Sequence, residues 1–536
     1  MSAENELPNK YDAIVVGGGH NGLVTSAYLG KAGHKVLVLE KRELVGGAAV
    51  TEEFFPGFKF SSLADDAGYF SPEVVENLDL KQHGFNILPT DPLILSLQPD
   101  GTQLTIWHDV DRTVAEMEEF SPADAKAYPK FVRWMGKISS FVRELNYIIP
   151  PDLPDVALTD LGNYFGFLRP VRGLGWKHIA QVIRLLPMSV ADLLDEWFES
   201  EIVKGAIAAS AILNISLGPQ EINSTAYTFL NNWANSNNGL FRSSGQVQGG
   251  MGGLTQALAS AAKSFGVELR TNAEVAKINM QDGIVTGITL ADGEVLSAKV
   301  VVSAVDMRTT FSNLVDPYFL EAKFLKHLNN IKYRGTMLRI HFALDRLPAF
   351  SGYDENSAQL LSGHVQIAPT ITYLQKAFDP TKYGNYSAQP YLDIHFPSIN
   401  DPSLAPEGKH IMSATVKYMP YELREGNWDE QRVSISQLVI ETLAEYFPDI
   451  AECIQQYRAI TPLDMETIYG LPEGNPVHGE MVLNQFLWMR PIPGYAQYQG
   501  PFEGLYLCSA ATHPGGGVTG INGKNAARQI LKQLKS

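Results

Sequence analysis

The sequence predicts an α/β fold in which a discontinuous nucleotide-binding domain is interleaved with a second, α+β domain. Three separate stretches predict this fold, because each combines an apolar strand with a glycine-rich loop and a helix: residues 11–47, 249–305 and 504–534. Long segments without this pattern separate them. The chain is therefore predicted to return twice to one domain, after two long excursions.

The first stretch, residues 11–47, begins with an apolar strand and a glycine-rich turn. Gly17 permits the tight turn, Gly19 lets the backbone approach a pyrophosphate, and Gly22 lets the following helix pack closely on the strand. The N-terminus of that helix offers free N–H groups and a positive dipole end to phosphates. The pattern predicts a Rossmann-like dinucleotide site.

An acidic residue completes this pattern. The second apolar strand, residues 35–39, ends on Glu40, which lies 18 residues after Gly22. A carboxylate at about this spacing binds the free hydroxyls of a ribose and disfavours a 2′-phosphate. The acid does not distinguish FAD from NAD, so both dinucleotides stay open at this point.

The residues after Glu40 favour FAD. Arg42 follows two positions later, and Gly46 and Gly47 form a doublet that precedes Ala48. This arrangement resembles the second signature of FAD oxidoreductases of the amine-oxidase and phytoene-desaturase kind, in which the arginine and the doublet close over the dinucleotide. The resemblance implies FAD as the cofactor and these residues as its contacts, although such families usually have a further arginine after the doublet.

The composition restricts the functional class. The 536 residues are 45% hydrophobic and 19% charged, which is typical of a globular protein with several domains' worth of chain. The net charge of −16 argues against a nucleic-acid partner. Only two cysteines are present, Cys453 and Cys508, so neither a disulfide framework nor a cysteine metal site is predicted. No other metal-binding pattern is evident.

The sequence predicts a cytoplasmic protein. Residues 1–10 contain neither an apolar signal-peptide core nor an arginine-rich presequence, and no uncharged apolar run of about 18 residues exists. Residues 163–191 are basic and free of acids within this acidic chain, and apolar residues recur there at helical spacing. One interpretation is peripheral contact with a membrane, and the other is a helix that packs on the core and exposes a basic side.

The second and third stretches resemble further parts of FAD-binding folds. Residues 267–290 predict strands joined by tight turns, and in such folds a valine that matches Val275 touches the adenine through its backbone. Near the C-terminus a strand, a glycine loop and a helix make a second anion site. In FAD folds this element closes under the flavin, which implies four more contacts: Ser509, Gly516, Gly517 and Val518.

Several runs together resemble the pyridine nucleotide-disulfide oxidoreductase domain-containing protein 2 group, a branch of the carotenoid and retinoid oxidoreductases that include bacterial-type phytoene desaturases. These runs are residues 46–53, 490–494, 505–508 and 513–518. The resemblance implies an FAD-binding domain of residues 1–100, 245–310 and 478–536. Residues 101–244 and 311–477 then form the substrate-binding domain.

The resemblance also implies a reaction. It implies hydride transfer to flavin during dehydrogenation, desaturation or isomerisation of an apolar carotenoid-, retinoid- or lipid-like substrate. His513 is the candidate catalytic residue because it lies in the loop expected at the flavin and a histidine exchanges protons near neutral pH. The alternative is that His513 only holds this loop. For four further polar candidates a structural role is favoured: Arg339, His341, Glu480 and Arg490.

Two alternatives to an enzyme stay open, a lipid-binding protein without flavin and a flavin-bound regulatory protein without turnover. A complete dinucleotide fingerprint favours the enzyme. The electron acceptor, whether oxygen, a quinone or a soluble carrier, is not specified by any motif.

Overall fold

The computed structural model describes residues 11–151, 161–350 and 357–535. The strands are β1 Tyr11–Val16, β2 Val36–Leu39, β3 Thr51–Phe55, β4 Phe58–Ser61, β5 Ile87–Leu88, β6 Ile94–Leu97, β7 Gln103–Ile106, β8 Gln246–Val247, β9 Glu268–Arg270, β10 Val275–Gln281, β11 Ile284–Leu290, β12 Val295–Ser303, β13 Met337–Leu344, β14 His364–Ile367, β15 Leu392–His395, β16 His410–Lys417, β17 Ile454–Ile460 and β18 Leu505–Leu507.

The α-helices of the described residues lie between groups of these strands, and seven of them follow one another between β7 and β8. They are α1 His20–Lys31, α2 Pro72–Asn77, α3 Val110–Glu118, α4 Pro122–Tyr147, α5 Leu161–Leu174, α6 Trp176–Leu185, α7 Val190–Asp195, α8 Glu201–Ala208, α9 Thr225–Asn235, α10 Met251–Ser264, α11 Ala322–Asn330, α12 Ile371–Phe378, α13 Trp428–Ala444, α14 Ile450–Cys453, α15 Pro462–Thr467 and α16 Ile521–Gln533.

The first sheet is the predicted nucleotide-binding sheet. Its strands run in the order β10, β11, β12, β1, β2 and β9, and β18 pairs in parallel with β12. Strands β12, β1, β2 and β9 are mutually parallel, whereas β10, β11 and β12 form an antiparallel meander. Asp282 and Gly283 both have positive φ in the first meander turn, as an Asp-Gly hairpin requires. The mixed α/β architecture is confirmed.

Each face of this sheet has its own core. Ala13 and Val15 of β1 pack with α1, α10 and α16 on one face. Ile14 and Val16 pack with the meander and α11 on the other face. Because successive side chains of a strand point to opposite faces, the run of apolar residues 13–16 in this central strand is buried on both faces of the sheet.

The second sheet belongs to the two excursions. Its order is β17, β13, β16, β15, β14, β6 and β7, and α13 packs on it through an apolar core. Strand β6 pairs in parallel with β14, which places residues 94–97 with this sheet and not with the first one, to which the sequence assigns residues 1–100. This pairing leaves no local signal in the sequence, because β14 lies far beyond β6 along the chain.

A helical cluster covers one side of the second domain. Ser121 and Pro122 separate α3 from α4, and the Ser121 side chain caps α4. Helices α4, α7, α8 and α9 share one apolar core. Among the described residues, no helix combines the length and apolarity needed to span a bilayer. The predicted absence of a targeting signal concerns residues 1–10, which lie outside the described ranges.

Candidate functional site

A cavity of about 530 Å³ lies along the carboxyl edge of the first sheet, and we call it the dinucleotide cavity. Seven segments of the described chain line it: the turn after β1, the residues after β2, the glycine doublet, the start of β10, the residues after β12, residues 466–478 and the loop after β18. Of the predicted contacts, the residues that line this cavity are Gly17, Gly19, Glu40, Arg42, Gly46, Gly47, Ala48, Val275 and Ser509. The fold therefore brings together residues from all three sequence stretches.

The glycine turn has the geometry that a bound dinucleotide needs. Gly17 adopts a φ of +99°, which side-chain-bearing residues rarely adopt. A Cβ atom on Gly19 would meet no protein atom within 4 Å, so the backbone there faces open space. A Cβ atom on Gly22 would lie 2.3 Å from the Gly17 carbonyl oxygen. Gly22 thus permits helix packing and does not itself line the cavity.

Glu40 fastens this turn to the end of β2. One carboxylate oxygen accepts a hydrogen bond from the Gly18 N–H at 2.8 Å, and the other accepts from the Arg42 N–H at 2.9 Å. The side chain is buried at the cavity wall. Each oxygen retains a further lone pair, which suits the ribose hydroxyls expected at this position.

Arg42 offers an unused donor to the same cavity. Its Nη2 donates to Glu52 at 2.7 Å, and its guanidinium lies 4.7 Å from the centre of the Tyr469 ring. Its Nη1 is buried and has no hydrogen-bond partner. A buried donor without a partner is costly, and an oxygen-rich ligand in the cavity would satisfy it.

The glycine doublet closes against the glycine turn. Gly46 donates its N–H to the Gly18 carbonyl at 2.8 Å, and Gly46 and Gly47 have φ values of +133° and +61°. A Cβ atom on Gly47 would lie 3.2 Å from the Gly19 Cα. The doublet and the glycine turn thus border the cavity with backbone and without bulky side chains. This arrangement fits FAD.

A second cavity of about 160 Å³ adjoins the first, and we call it the small cavity. Four of the described residues line both cavities: His20, Ala48, Pro476 and Ala510. The predicted contacts Gly517 and Val518 line only the small cavity. Residues of the second sheet, such as Met337 and Arg339, meet residues that follow strands of the first sheet, such as His20 and Ala510, so the small cavity lies between the two domains.

The small cavity has an apolar part and a charged part. The apolar part includes Leu63, Leu213, Met337, Val477 and Val518. The charged part consists of Asp65, Asp66, Arg242, Arg339 and Asp393. Apart from the adjacent Asp65 and Asp66, the charged residues lie far apart in sequence, and only Arg339 among them was a predicted candidate.

Two buried ion pairs organise the charged part. Arg339 Nη2 lies 2.6 Å from Asp65, and Arg242 Nη2 lies 2.7 Å from Asp393. Burial alone raises the pKa of Asp393, but the Arg242 guanidinium overcomes this effect and the pKa is lowered to about 2. Arg339 likewise holds the pKa of Asp65 well below its usual range, against the effect of burial. Both pairs are therefore ionised at neutral pH.

His20 is a titratable residue that faces both cavities. Burial lowers the pKa of its imidazole to about 4, with a smaller contribution from His478, so the ring is neutral at pH 7. The ring hydrogen-bonds to the backbone of Gly517, and Nε2 has no partner. His20 was not a predicted site residue, although its position within the glycine motif could have indicated it.

His513 does not line either cavity, which differs from the predicted catalytic position. Its Nε2 donates to the Leu145 carbonyl at 2.9 Å, and its own carbonyl accepts from the Tyr498 hydroxyl at 2.7 Å. Burial lowers the pKa of its imidazole to about 4. The geometry favours the alternative role, in which His513 joins the C-terminal loop to α4, because a ring so enclosed does not reach a substrate.

The remaining polar candidates have distinct positions. Arg490 is fully buried and its guanidinium donates to backbone carbonyls of Val477, Gly479, Glu480 and Ala510. His341 lies buried between Ser413 and the Ser62 carbonyl, outside both cavities.

Glu480 pairs with Arg334. Gly516, predicted as a cofactor contact, packs instead against Val477, where a Cβ atom would approach to 2.2 Å.

The two cysteines are both free and buried. Burial raises the pKa of Cys453 to about 11 and that of Cys508 to about 12. A thiol held protonated in this way is a poor nucleophile. The geometry gives no support to disulfide chemistry.

Comparison with known proteins agrees with this site. The family model described as flavin-containing amine oxidoreductase matches residues 22–531. Pyridine nucleotide-disulfide oxidoreductase domain-containing protein 2 of Rattus norvegicus is 34% identical over 99% of this chain and 95% of its own length. A limonene dehydrogenase polypeptide of Castellaniella defragrans is 28% identical over 98% of this chain and 95% of its own length.

A further relative and a solved structure extend the comparison. A neurosporene-forming phytoene desaturase of Cereibacter sphaeroides is 26% identical over 95% of this chain and 92% of its own length. The crystal structure of an oxidoreductase from Methanosarcina mazei has a TM-score of 0.60 at 16% identity, and the match covers 97% of this chain and 99% of that one. The likeness to this structure supports the fold alone.

Proposed function

The chain belongs to the family of flavin-containing amine oxidoreductases and resembles the pyridine nucleotide-disulfide oxidoreductase domain-containing protein 2 group along nearly its whole length, and from this we propose that it dehydrogenates a substrate held in the small cavity. FAD is its cofactor. When bound, FAD supplies a two-electron acceptor for hydride. The observation that carries the proposal is that the small cavity joins the dinucleotide cavity at four shared residues, His20, Ala48, Pro476 and Ala510.

The residues of the small cavity have three tasks in this proposal. Its apolar walls exclude water, which strengthens every electrostatic interaction inside. The two ion pairs orient the substrate. The proton that leaves with the hydride needs an acceptor, and Nε2 of the neutral His20 is an unpartnered nitrogen at the junction.

We propose a largely apolar, lipid-like substrate that is desaturated, dehydrogenated or isomerised. The names of two relatives, a limonene dehydrogenase and a phytoene desaturase, support a terpenoid or polyene skeleton. The volume of about 160 Å³ restricts the enclosed part to a small molecule or to one end of a long one, because cavities for drug-sized ligands span roughly 300–1,000 Å³.

The test is anaerobic reduction of the FAD-loaded protein by a panel of terpenoids, polyenes and fatty acyl compounds. We expect at least one compound to bleach the visible flavin bands. His20→Gln should slow the bleaching by at least about tenfold while FAD binding persists, because general-base catalysis contributes about 10²- to 10⁴-fold. His83→Gln, which lines neither cavity, is the matched control.

Bleaching that is as fast in the His20 variant as in the wild type would exclude its role as the proton acceptor. Flavin bands that no compound bleaches would favour the alternative of a flavin-bound protein without turnover. A chain that binds lipids but takes up no FAD would favour the lipid-binding alternative.

We also propose that the basic segment of residues 163–191 contacts an anionic membrane surface. Helices α5 and α6 expose the apolar side chains of Phe165, Leu168 and Ile183 beside the exposed Arg169 and Arg172. Exposed apolar residues next to cations suit the interface of an anionic bilayer. The side chains of residues 176 and 177 lie outside the described set.

Sedimentation with vesicles tests this membrane contact. We expect binding to vesicles that contain phosphatidylserine and weaker binding to vesicles of phosphatidylcholine alone. The double variant Arg169→Glu and Arg172→Glu should lose the preference for vesicles with phosphatidylserine. Lys126→Glu on α4 should keep this preference. Equal binding of the wild type to both vesicle types, or to neither, would contradict the proposal.

A further inference from the structure

The small cavity contains buried polar atoms that no protein group satisfies. Arg242 Nη1, Arg339 Nε and Asp393 Oδ1 are all buried without a hydrogen-bond partner. His364 Nδ1 lies 3.4 Å from Asp393 Oδ1, at the limit of a hydrogen bond, and 2.9 Å from Arg242 Nη2. Buried polar groups in folded proteins are nearly always paired, so three unpaired atoms on residues that line one small cavity point to a ligand that pairs with them.

The ion pairs fix these atoms in place. Arg242 uses Nη2 for both Asp393 and His364, which leaves its Nη1 unused. Arg339 uses Nη2 for its carboxylate partner and Nη1 for Thr415 at 2.6 Å, which leaves its Nε unused. Each guanidinium is therefore held by its ion pair and has one buried nitrogen without a hydrogen-bond partner.

The balance of charge limits what the ligand is. Three carboxyl groups and two guanidinium groups line the cavity, so its formal charge is −1. Asp66 is the carboxyl group without an arginine as ion-pair partner. Its two oxygens accept hydrogen bonds from the Gly68 N–H at 2.7 Å and from the Ser243 hydroxyl. A carboxylate ligand would increase the negative charge in a poorly solvated site, which is unfavourable.

The unpaired atoms exclude two other classes. An ammonium ligand has no acceptor for the two free guanidinium donors and would lie beside two cations. A pure hydrocarbon would leave all three polar atoms desolvated and unpaired. A hydroxyl group accepts two hydrogen bonds and donates one, which matches two free donors and one free carboxylate oxygen.

We propose that the small cavity binds a substrate whose apolar skeleton carries a neutral oxygen group, a hydroxyl group above all, and that Arg242, Arg339 and Asp393 recognise this group. The inference rests on the proposed function, since it names the substrate class of the same site. The apolar walls around Leu63 and Met337 hold the skeleton, and the ion pairs hold its polar end.

Calorimetric titration of the FAD-loaded protein tests the inference with four eight-carbon probes: octane, 1-octanol, octanoate and octylammonium. We expect 1-octanol to bind at least about tenfold more tightly than each of the others, because a site built to hydrogen-bond a hydroxyl rejects analogues without it. Arg242→Lys and Arg339→Lys keep each positive charge but remove the free donor. Either variant should reduce the preference for the alcohol to below about threefold.

Arg432→Lys is the matched control, because Arg432 also forms an ion pair, with Asp464, away from both cavities. The Arg432→Lys variant should keep the full preference for 1-octanol over the other three probes. Unchanged flavin content and Tm in the two cavity variants would show that they fold. Tightest binding of octane, octanoate or octylammonium, no binding of 1-octanol, or an unchanged preference in a folded cavity variant would each overturn the inference.

The binding test of this inference and the bleaching test of the proposed function can fail independently of each other. Selective alcohol binding without any bleaching of the flavin would support this inference while the proposed reaction fails. Bleaching by hydrocarbons that bind as tightly as their alcohols would support the reaction and overturn this inference.

Discussion

The carboxylate of Glu40 joins two segments that the dinucleotide has to meet. It accepts from Gly18 in the first turn and from Arg42 after β2, so it fixes both positions at once. Its loss would leave two N–H donors at the cavity wall without their acceptor, which costs about 1–3 kcal/mol for each buried group.

We therefore expect Glu40→Gln to weaken FAD binding by at least about tenfold, because an amide oxygen replaces only one of the two acceptors. The measurement is the dissociation constant for FAD from flavin fluorescence. Glu43→Gln is the control, since Glu43 is exposed in the same segment. An unchanged constant in the Glu40 variant would show that its contacts do not organise the site.

At the residue scale, the sequence predicted what depends on local spacing. Gly17, Gly19, Glu40 and Arg42 follow from one motif of consecutive elements, and all of them line the dinucleotide cavity. His513 was a prediction from loop position alone, and a loop position does not reveal which way a side chain points.

At the element scale, the C-terminal glycine loop is held by contacts from several directions. The amide of Asn522 on α16 donates to the carbonyls of Ser509, Thr512 and Gly515. Gly516 fits against Val477 with no room for a side chain. The loop is thus fixed in place, and it presents Ser509 to the dinucleotide cavity.

We expect Gly516→Ala to displace this loop, because a Cβ atom would lie 2.2 Å from that of Val477. Flavin content after purification should fall by at least about half, and Tm should drop by several degrees. Gly136→Ala in α4 is the control, since its Cβ would meet no atom within 4 Å and alanine favours a helix. Equal flavin content in both variants would contradict this role of the loop.

Elements with strong periodicity were predicted closely. Residues 504–534 were expected to hold a strand, a glycine loop and a helix, and they form β18 Leu505–Leu507 and α16 Ile521–Gln533. Residues 267–290 were expected to form strands joined by tight turns. Strands β10 and β11 are joined in this way, whereas β9 pairs with β2, because periodicity identifies a strand without identifying its partner.

At the scale of the whole molecule, four buried histidines link stability to pH. Burial lowers the pKa of His20 and His513 to about 4, and that of His341 and His395 to about 3. In the unfolded chain each titrates near about 6.5. Above that pH both states are neutral and the histidines have no effect. Below it the unfolded chain binds protons that the folded chain excludes.

Stability should therefore fall as the pH is lowered from about 6.5 towards 4, by up to about 1.4 kcal/mol per pH unit for each histidine. Calorimetry at pH 7.5 and 5.0 with saturating FAD measures this as a lower Tm at pH 5.0. His513→Gln keeps a donor for the Leu145 carbonyl. This variant should lower by about one the number of protons that the chain takes up on unfolding at low pH. A Tm that is constant or higher at pH 5.0 would contradict the buried neutral state.

The small cavity shows what the sequence leaves out at this scale. Asp65 and Arg339 are 274 positions apart, and Arg242 and Asp393 are 151 positions apart. No local pattern pairs such residues, because only the meeting of two domains brings them together. The cofactor was predictable from consecutive residues, whereas the substrate cavity was not.

The most direct test of the central claim is a titration of the purified chain with FAD, followed by gel filtration and a visible absorption spectrum. We predict oxidised-flavin bands that co-elute with the protein at one FAD per chain, since the dinucleotide cavity accommodates a single dinucleotide. A chain that elutes without flavin bands, after incubation with excess FAD, would contradict the claim that this cavity is an FAD site.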